Sequence, residues 1–325
     1  MTSRHVSHDN ASTFLRRCFA NPSRMRLLCS KKAGREGGEC LTVSVEIGPA
    51  GPIVEVQETS MAEGWTGCRF SPSALWLALK VAEPSFARLT GLGSPELKDL
   101  KDLKNPKAPK AIEFGCGVGL AGLAAHAVGY DTTLTDCLPG HLKNLSAHVG
   151  KLMAKASGAS GTSGTSGTSG TSGTRGLHVR FLDWISDVGA DLTGCSVDLG
   201  SPENVAASSD WERLDEQELN SFDLALASDV VYEQHHAILL PRVMQRWLKP
   251  GGFWAVCLAI RDAEMSCCFL QQLNDCGLMP RSAEHIVIET ACKPDRCSYC
   301  SSRDLSWPAE ASLLDRTFGK QQCSC

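Results

Sequence analysis

An open α/β fold, with a mostly parallel sheet covered by helices on both faces and a small β-hairpin ahead of it, is what the sequence predicts. Three observations carry that prediction. From residue 110 onward, short apolar segments alternate with longer amphipathic ones in the order strand, helix, strand, helix. The segment at 253–260, FWAVCLAI, is apolar throughout, as a strand buried on both faces must be. A glycine-rich turn, Gly115-Cys-Gly-Val-Gly119, joins the first strand of that series to its first helix. Parallel strands of one sheet are joined by right-handed crossovers, which set the faces on which the helices lie.

Residues 41–45 alternate polar and apolar, a Gly-Pro turn follows, and Ile53-Val-Glu-Val-Gln57 alternates again, which predicts the hairpin. Residues 73–81, SALWLALKV, have the spacing of a buried helix. Lysines at 98, 101, 104, 107 and 110 then recur at a period of three that keeps no helix face, and prolines interrupt them. A solvated connector over about 94–110 is expected. The α/β series reads strand 111–114, helix 119–128 ended by Gly129, strand 132–135, and helix 139–152 with Leu142, Leu145 and Val149 on one face. It continues as strand 178–182, strand 222–227, helix 235–248 closed by LKPGG, strand 253–260, helix 263–276 and strand 285–289. A strand at 312–318 would pair antiparallel with 285–289. Two insertions interrupt the series. Residues 157–176 form a Gly-Thr-Ser repeat too polar to bury a surface, hence a flexible loop. Residues 191–220 hold eight acids against one base, which reads as a solvated excursion, with recruitment of a basic substrate as the alternative.

At 325 residues, 42% of them hydrophobic, the chain is long enough to bury a substantial core. Residues 1–35 hold eight Arg or Lys and one acid, while the whole chain has a formal net charge of -4, so the rest is about eleven charges negative. An acidic body fits a basic partner such as a lysine-bearing protein and argues against a nucleic-acid backbone. Residues 1–40 are expected to be a basic disordered tail or a transit peptide, and 41–325 the folded domain. The sixteen cysteines are scattered, with Cys116, Cys257 and Cys276 inside apolar runs and no secretory signal ahead of them. A reducing, cytoplasmic compartment is expected, or an organelle if the tail is a transit peptide. No apolar run is long enough to cross a bilayer, so a soluble chain without a membrane partner is expected, and the chain is expected to be a monomer.

The glycine turn satisfies two overlapping patterns. From Gly117, GVGLAG fits G-x-G-x-x-G, in which a helix N-terminus receives the pyrophosphate of a dinucleotide. From Glu113, EFGCGVG places a carboxylate two residues ahead of the first glycine. A dinucleotide turn opening at Gly117 would run the strand on through Gly115, and glycine is poor strand material. A carboxylate also sits badly beside two phosphates, whereas S-adenosylmethionine carries an ammonium, a sulfonium and no phosphate. Glu113 therefore favours the methyl donor as the cofactor.

Ligands of open α/β sheets bind beyond the carboxyl ends of the strands, so each strand end supplies candidates. Gly115 and Gly117 let the backbone approach a ligand closely. Asp136 ends the second strand, nineteen residues past Gly117, where a carboxylate accepts ribose hydroxyls. The third strand ends in Asp183, an acceptor for an adenine amino group, and Trp184, a flat apolar wall that reads equally well as core. Beyond the fourth strand come Asp229 and Tyr232. A lysine amine attacks only after losing its proton; Asp229 would hold and orient it, and Tyr232 would line the slot or hydrogen-bond the amine. The alternative is Asp229 capping the next helix with Tyr232 packed beside it.

The segments VEVQE, TGCRFSPSALWLA, EFGCGVGLAG, TLTD, FLDW, FDLALASDVVY and LKPGG, in this order, resemble the eukaryotic seven-strand protein-lysine methyltransferases of the D-x-x-Y type over roughly residues 42–289. The resemblance implies a Rossmann-like seven-strand class I methyltransferase fold, a three-layer sandwich, and methyl transfer from S-adenosylmethionine to a lysine of a protein substrate. It implies that Gly115, Cys116 and Gly117 wrap the methionine part of the cofactor and that Asp136 takes the ribose. Trp184 and Ser228 would border the adenosine, and Asp229 with Tyr232 would be the D-x-x-Y element. The family usually has Trp where this chain has Phe70, which keeps an aromatic wall and loses the indole N–H. Nucleic-acid amino-methyltransferases usually show Pro-Pro-Tyr after the acid or amide at the fourth strand; here the place reads Asp-Val-Val-Tyr. Methylation of a small molecule or another protein side chain, and a cofactor-binding module without turnover, are the alternative functions. Cys292, Cys297, Cys300, Cys323 and Cys325 have a loose zinc-ligand spacing, and no metal is assigned. His235 and His236 open a helix and are expected to face solvent.

Overall fold

The structure, a computed structural model, describes residues 25–33, 39–47, 53–58, 67, 71–91, 108–156, 176–189, 211–260, 262–281 and 283. Strands β1 (Met25–Ala33), β2 (Glu39–Ile47) and β3 (Ile53–Gln57) form an antiparallel sheet in that order, with Met25 opposite Ile47 and Thr42 opposite Gln57. The expected hairpin is the second half of this sheet. The stretch read as a tail up to residue 40 supplies a strand, because nine residues of it satisfy their backbone by pairing with β2.

Helix α1 (Pro72–Val81) begins where Ser71 Oγ accepts the N–H of Ala74 at 3.1 Å and proline takes the first helical position. After the short α2 (Pro84–Thr90) come five parallel strands: β4 (Lys110–Phe114), β5 (Asp131–Asp136), β6 (Leu177–Phe181), β7 (Phe222–Ser228) and β8 (Leu248–Cys257). Their order across the sheet is β6-β5-β4-β7-β8. The chain winds outward from β4 through β5 to β6, then crosses back to β7 on the other side of β4, which is the doubly wound, Rossmann-like arrangement. The intervening helices are α3 (Leu120–Val128), α4 (Pro139–Ala156), α5 (Trp184–Val188), α6 (Gln234–Trp247) and α7 (Ala263–Asp275).

The period of two along a strand sorts the core into layers. Ala111, Leu224 and Leu226 pack on one face with α1, α2 and α3, while Ile112, Phe114, Ala225 and Ala227 pack on the other with α6 and α7. Val45, Val54 and Val56 of the antiparallel sheet close over Leu120, Leu123, Leu145 and Val149 of α3 and α4. Asn144 Nδ2 also donates to the Gln57 carbonyl at 2.9 Å, pinning β3 to α4.

Three expectations change. LKPGG is not a closing turn: Leu248 pairs with Phe222, and the strand expected from 253 to 260 runs from Leu248 to Cys257. Residues 211–220 are not merely solvated, since Glu212 pairs with Arg180 at 2.8 Å, Glu218 pairs with Lys110 at 3.3 Å, and Arg213 bridges to Phe181 at the edge of β6. The helix expected to end at 152 continues to Ala156. The greater part of the lysine-spaced connector, nearly all of the Gly-Thr-Ser repeat, the strands at 285–289 and 312–318 and the carboxyl-terminal cysteines lie outside the described residues. Among the described residues, no helix is long and apolar enough to cross a membrane.

At Gly122, α3 lies close against the sheet. An added Cβ would stand 2.2 Å from Leu134 Cδ2 and 2.7 Å from Glu113 Oε2, both fully buried side chains. Gly122→Ala is therefore expected to destabilise the fold by roughly 1–3 kcal/mol through overpacking, read as a lower urea midpoint at unchanged slope.

Candidate functional site

The carboxyl ends of β5, β4 and β7 meet at the switch point, because Phe114 is level with Thr135 on one side and Ala227 on the other. The turn after β4 holds Gly115 at φ +60° and Gly117 at φ +52°, both in the left-handed region open to glycine. Between them, buried Cys116 donates its N–H to the Thr135 carbonyl at 2.9 Å and ties the turn to β5. Burial, first of all, with Asp136 and Glu113 close by, holds its thiol pKa well above the ordinary value, so Cys116 packs as a neutral group. A Cβ at Gly117 would lie 2.7 Å from the Gly67 carbonyl oxygen, so the backbone ahead of α1 rests against this turn. A Cβ at Gly115 would lie 2.9 Å from Val230 and 3.5 Å from the Trp184 ring, so the chain beyond β6 and beyond β7 reaches the same point.

Asp136 is buried at the end of β5. Its Oδ2 accepts the Gly117 N–H at 2.9 Å, its Oδ1 accepts the Leu138 N–H at 2.9 Å, and His141 Nδ1 stands 3.4 Å from Oδ2. Burial raises this carboxyl's pKa, but His141 and the two backbone amides together outweigh it and hold the group below the usual carboxylate range. The result is an ionised carboxylate beside the glycine turn, with lone pairs left for hydroxyl donors.

Glu113 differs from its expected role. The strand period directs it to the Ala111 face, beneath α3, where its Oε2 accepts the Gly122 N–H at 2.7 Å. Burial, above all, and the nearby Asp136 push its pKa up to about 8 against the amides of Gly122 and Ala121. It is thus mainly neutral at pH 7, and the charge that the sequence reading assigned to it is not displayed.

Asp183 caps α5: its Oδ1 accepts the Ile185 N–H at 3.1 Å and its Oδ2 accepts the Ser186 hydroxyl. Ser228, half-buried, ends β7 level with Cys257. Asp229 then takes φ +56°, a left-handed backbone that costs a non-glycine residue about 1–2 kcal/mol. Its N–H is held by the Cys257 carbonyl at 2.8 Å. Asp229 does not cap α6, since the residue at that N-cap is Glu233.

Tyr232 is 41% exposed, and its ring meets His236 edge-on at 4.4 Å between centroids. His236 in turn meets Trp184 edge-on at 5.7 Å, so it bridges the residues that follow β6 and β7. The expectation that His235 and His236 face solvent is wrong. His235 is buried, and burial together with His235 pushes the His236 pKa down to about 4, leaving a neutral imidazole. Helical spacing carried this signal: His236, Leu240 and Met244 recur every four residues along α6, and Leu240 and Met244 are core. Phe70 lies outside the described residues. Among those described, no group of three or more His, Cys, Asp or Glu is arranged to hold a metal.

Fold and site together define a doubly wound α/β protein. The strand ends at its switch point bring together a glycine turn, one ionised carboxylate, an indole and a second acid on strained backbone. No protein-family model matches the sequence, and no curated protein matches it. Among solved structures, the chain is similar to a Methanococcus maripaludis protein provisionally described as an S-adenosyl-L-methionine-dependent methyltransferase. That likeness has 12% identity and a TM-score of 0.29, over 61% of this chain and 71% of the other. It is also similar to a structure from work on the conversion of a disulfide bond into a thioacetal group during echinomycin biosynthesis. There the identity is 16% and the TM-score 0.27, over 57% of this chain and 59% of that one. At these values neither neighbour informs the chemistry of this chain.

Proposed function

We propose that the chain is an S-adenosylmethionine-dependent methyltransferase acting on a lysine side chain of a protein substrate. The observation that carries this reading is the pairing of two acids across β4: Asp136, ionised and bonded to the glycine turn, on one side, and Asp229, in strained backbone, on the other. When bound, the cofactor supplies a methyl group on a sulfonium for direct transfer to a neutral amine. The chain's own residues fit it. The turn at Gly115 and Gly117 has positive φ and no room for a side chain, Asp136 has lone pairs for ribose hydroxyls, and Trp184 lies beside Gly115 as a wall for the base. A dinucleotide fits less well. The Gly122 amide, one of the α3 N-terminal donors that a pyrophosphate would use, is already held by Glu113.

Asp229 would hold the incoming ammonium, orient the lone pair once the proton has passed to solvent, and keep the nitrogen in line with the departing sulfur. Neutral His236 adds no positive charge to repel the substrate. Tyr232, partly exposed, would give the lysine stem an aromatic surface reachable from solvent, as a macromolecular substrate needs. The acidic balance of the chain beyond residue 35 favours a basic protein partner. The test is incubation with methyl-labelled S-adenosylmethionine and a protein extract from the same source, followed by amino-acid analysis. Label recovered as methyllysine from a discrete protein supports the reading; label confined to small molecules, or cofactor binding without transfer, contradicts it.

A further inference from the structure

His141 is a buried imidazole that no step above uses. It sits in the first turn of α4, only 4% exposed, with Nδ1 3.4 Å from Asp136 Oδ2 and with no hydrogen-bond partner for Nε2 among the described residues. Its position is enforced from two sides. Its backbone N–H bonds the Leu138 carbonyl at 3.0 Å, in the same short loop whose Leu138 N–H bonds Asp136 Oδ1. On the other side lies Gly67, where an added Cβ would be 2.9 Å from His141 Cε1 and 3.1 Å from Gly117 Cα. The imidazole, the glycine turn and the segment ahead of α1 are therefore packed against one another, and a residue with a side chain at 67 would force them apart.

A buried polar group without a full set of partners is a cost that folds avoid unless it serves a purpose. At 3.4 Å the Nδ1 contact is electrostatic, and a small reorientation of the ring that aligns an Nδ1 proton with Oδ2 makes it a charge-assisted hydrogen bond. We propose that His141 is the positioning residue for the nucleoside end of the site: through Nδ1 it fixes the Asp136 carboxylate in the orientation from which Asp136 takes the ribose hydroxyls. This inference rests on the cofactor reading above. The lowered pKa of Asp136, to which the His141 contact contributes, agrees with it. His141 acts through Asp136 and touches no reacting atom.

Calorimetric titration of two ligands, S-adenosylhomocysteine and its 2′,3′-dideoxy analogue, against the unaltered chain and three variants tests the inference. Asparagine places an amide nitrogen near the position of Nδ1, and glutamine places one near Nε2. H141A is expected to weaken S-adenosylhomocysteine about tenfold, the worth of one hydrogen bond to a charged group, while leaving the dideoxy analogue almost unchanged. H141N restores most of the loss and H141Q does not. Ligand-free melting temperatures report the integrity of each fold, and if H141A is unfolded the asparagine–glutamine comparison decides alone. Equal weakening of both ligands, no weakening of either, or equal rescue by asparagine and glutamine overturns the inference. If the unaltered chain binds neither ligand, the cofactor reading itself fails and the inference with it.

Discussion

On the proposed function, Asp229→Asn is expected to lower the rate of methyl transfer by on the order of a hundredfold or more, while S-adenosylhomocysteine binds the variant as well as the unaltered chain. The choice of asparagine follows from the backbone. Asp229 stands at φ +56°, a conformation that asparagine tolerates and alanine resists. Alanine would mix loss of the carboxylate with relaxation of the turn after β7, and that turn also sets Val230 against Gly115. Asparagine keeps shape and backbone and removes only the negative charge that holds the ammonium. Single-turnover transfer together with a binding titration separates the two effects. A variant that still transfers methyl groups at the original rate removes Asp229 from the mechanism. Loss of binding in parallel with transfer would assign it to the cofactor side.

Glu113→Gln changes how stability depends on pH. The ordinary pKa of this group is 4.5 and its folded value is about 8, so between these limits the folded chain keeps a proton that the unfolded chain has lost. Stability therefore falls as pH rises through the window, at up to roughly 1.4 kcal/mol per pH unit, and levels off above pH 8. His236 works in the opposite sense. Its folded value of about 4 lies below its ordinary 6.5, so its contribution is present above 6.5 and is lost as pH falls toward 4. Below pH 6.5 the two groups oppose each other, and between 6.5 and 8 Glu113 acts without that interference. Glutamine keeps an oxygen for the Gly122 N–H and has no proton to lose. Urea unfolding in that window should show the unaltered chain losing stability relative to Glu113→Gln as pH rises. Parallel curves would mean that Glu113 is ionised in the fold after all.

The parts of the fold that follow from periodicity and punctuation are legible in the sequence. Gly119 and Gly129 bound α3 as its N-cap and C-cap, and the Leu142, Leu145 and Val149 stripe of α4 is buried. Asp136 and the Gly115–Gly117 turn come together as their places at strand ends required. What composition could not convey was three-dimensional partnership. The basic stretch containing β1 has little amphipathic signal of its own, and its strand exists because β2 pairs with it. Glu113 looked like a displayed charge because glycine motifs say what approaches a turn and not which face of the strand a neighbour takes. The alternation that puts Ala111 beneath α3 puts Glu113 there too, and Gly122 is the space made for it. The polarity of the two histidines suggests solvent, whereas their spacing along α6 puts His235 in the core and His236 half-buried beside it. Asp183 also starts α5 as its N-cap, a local role that its place at a strand end does not reveal.

The site assignments depend on which ligand binds at the carboxyl ends of β4, β5 and β7. Calorimetric titration of the unaltered chain and of Asp136→Ala with S-adenosylhomocysteine, each with and without excess NAD, settles the occupant. Saturable binding at one site, lost in Asp136→Ala and indifferent to NAD, is the outcome that the proposed function predicts. Binding of NAD that excludes S-adenosylhomocysteine would contradict it and return the glycine turn to the dinucleotide reading.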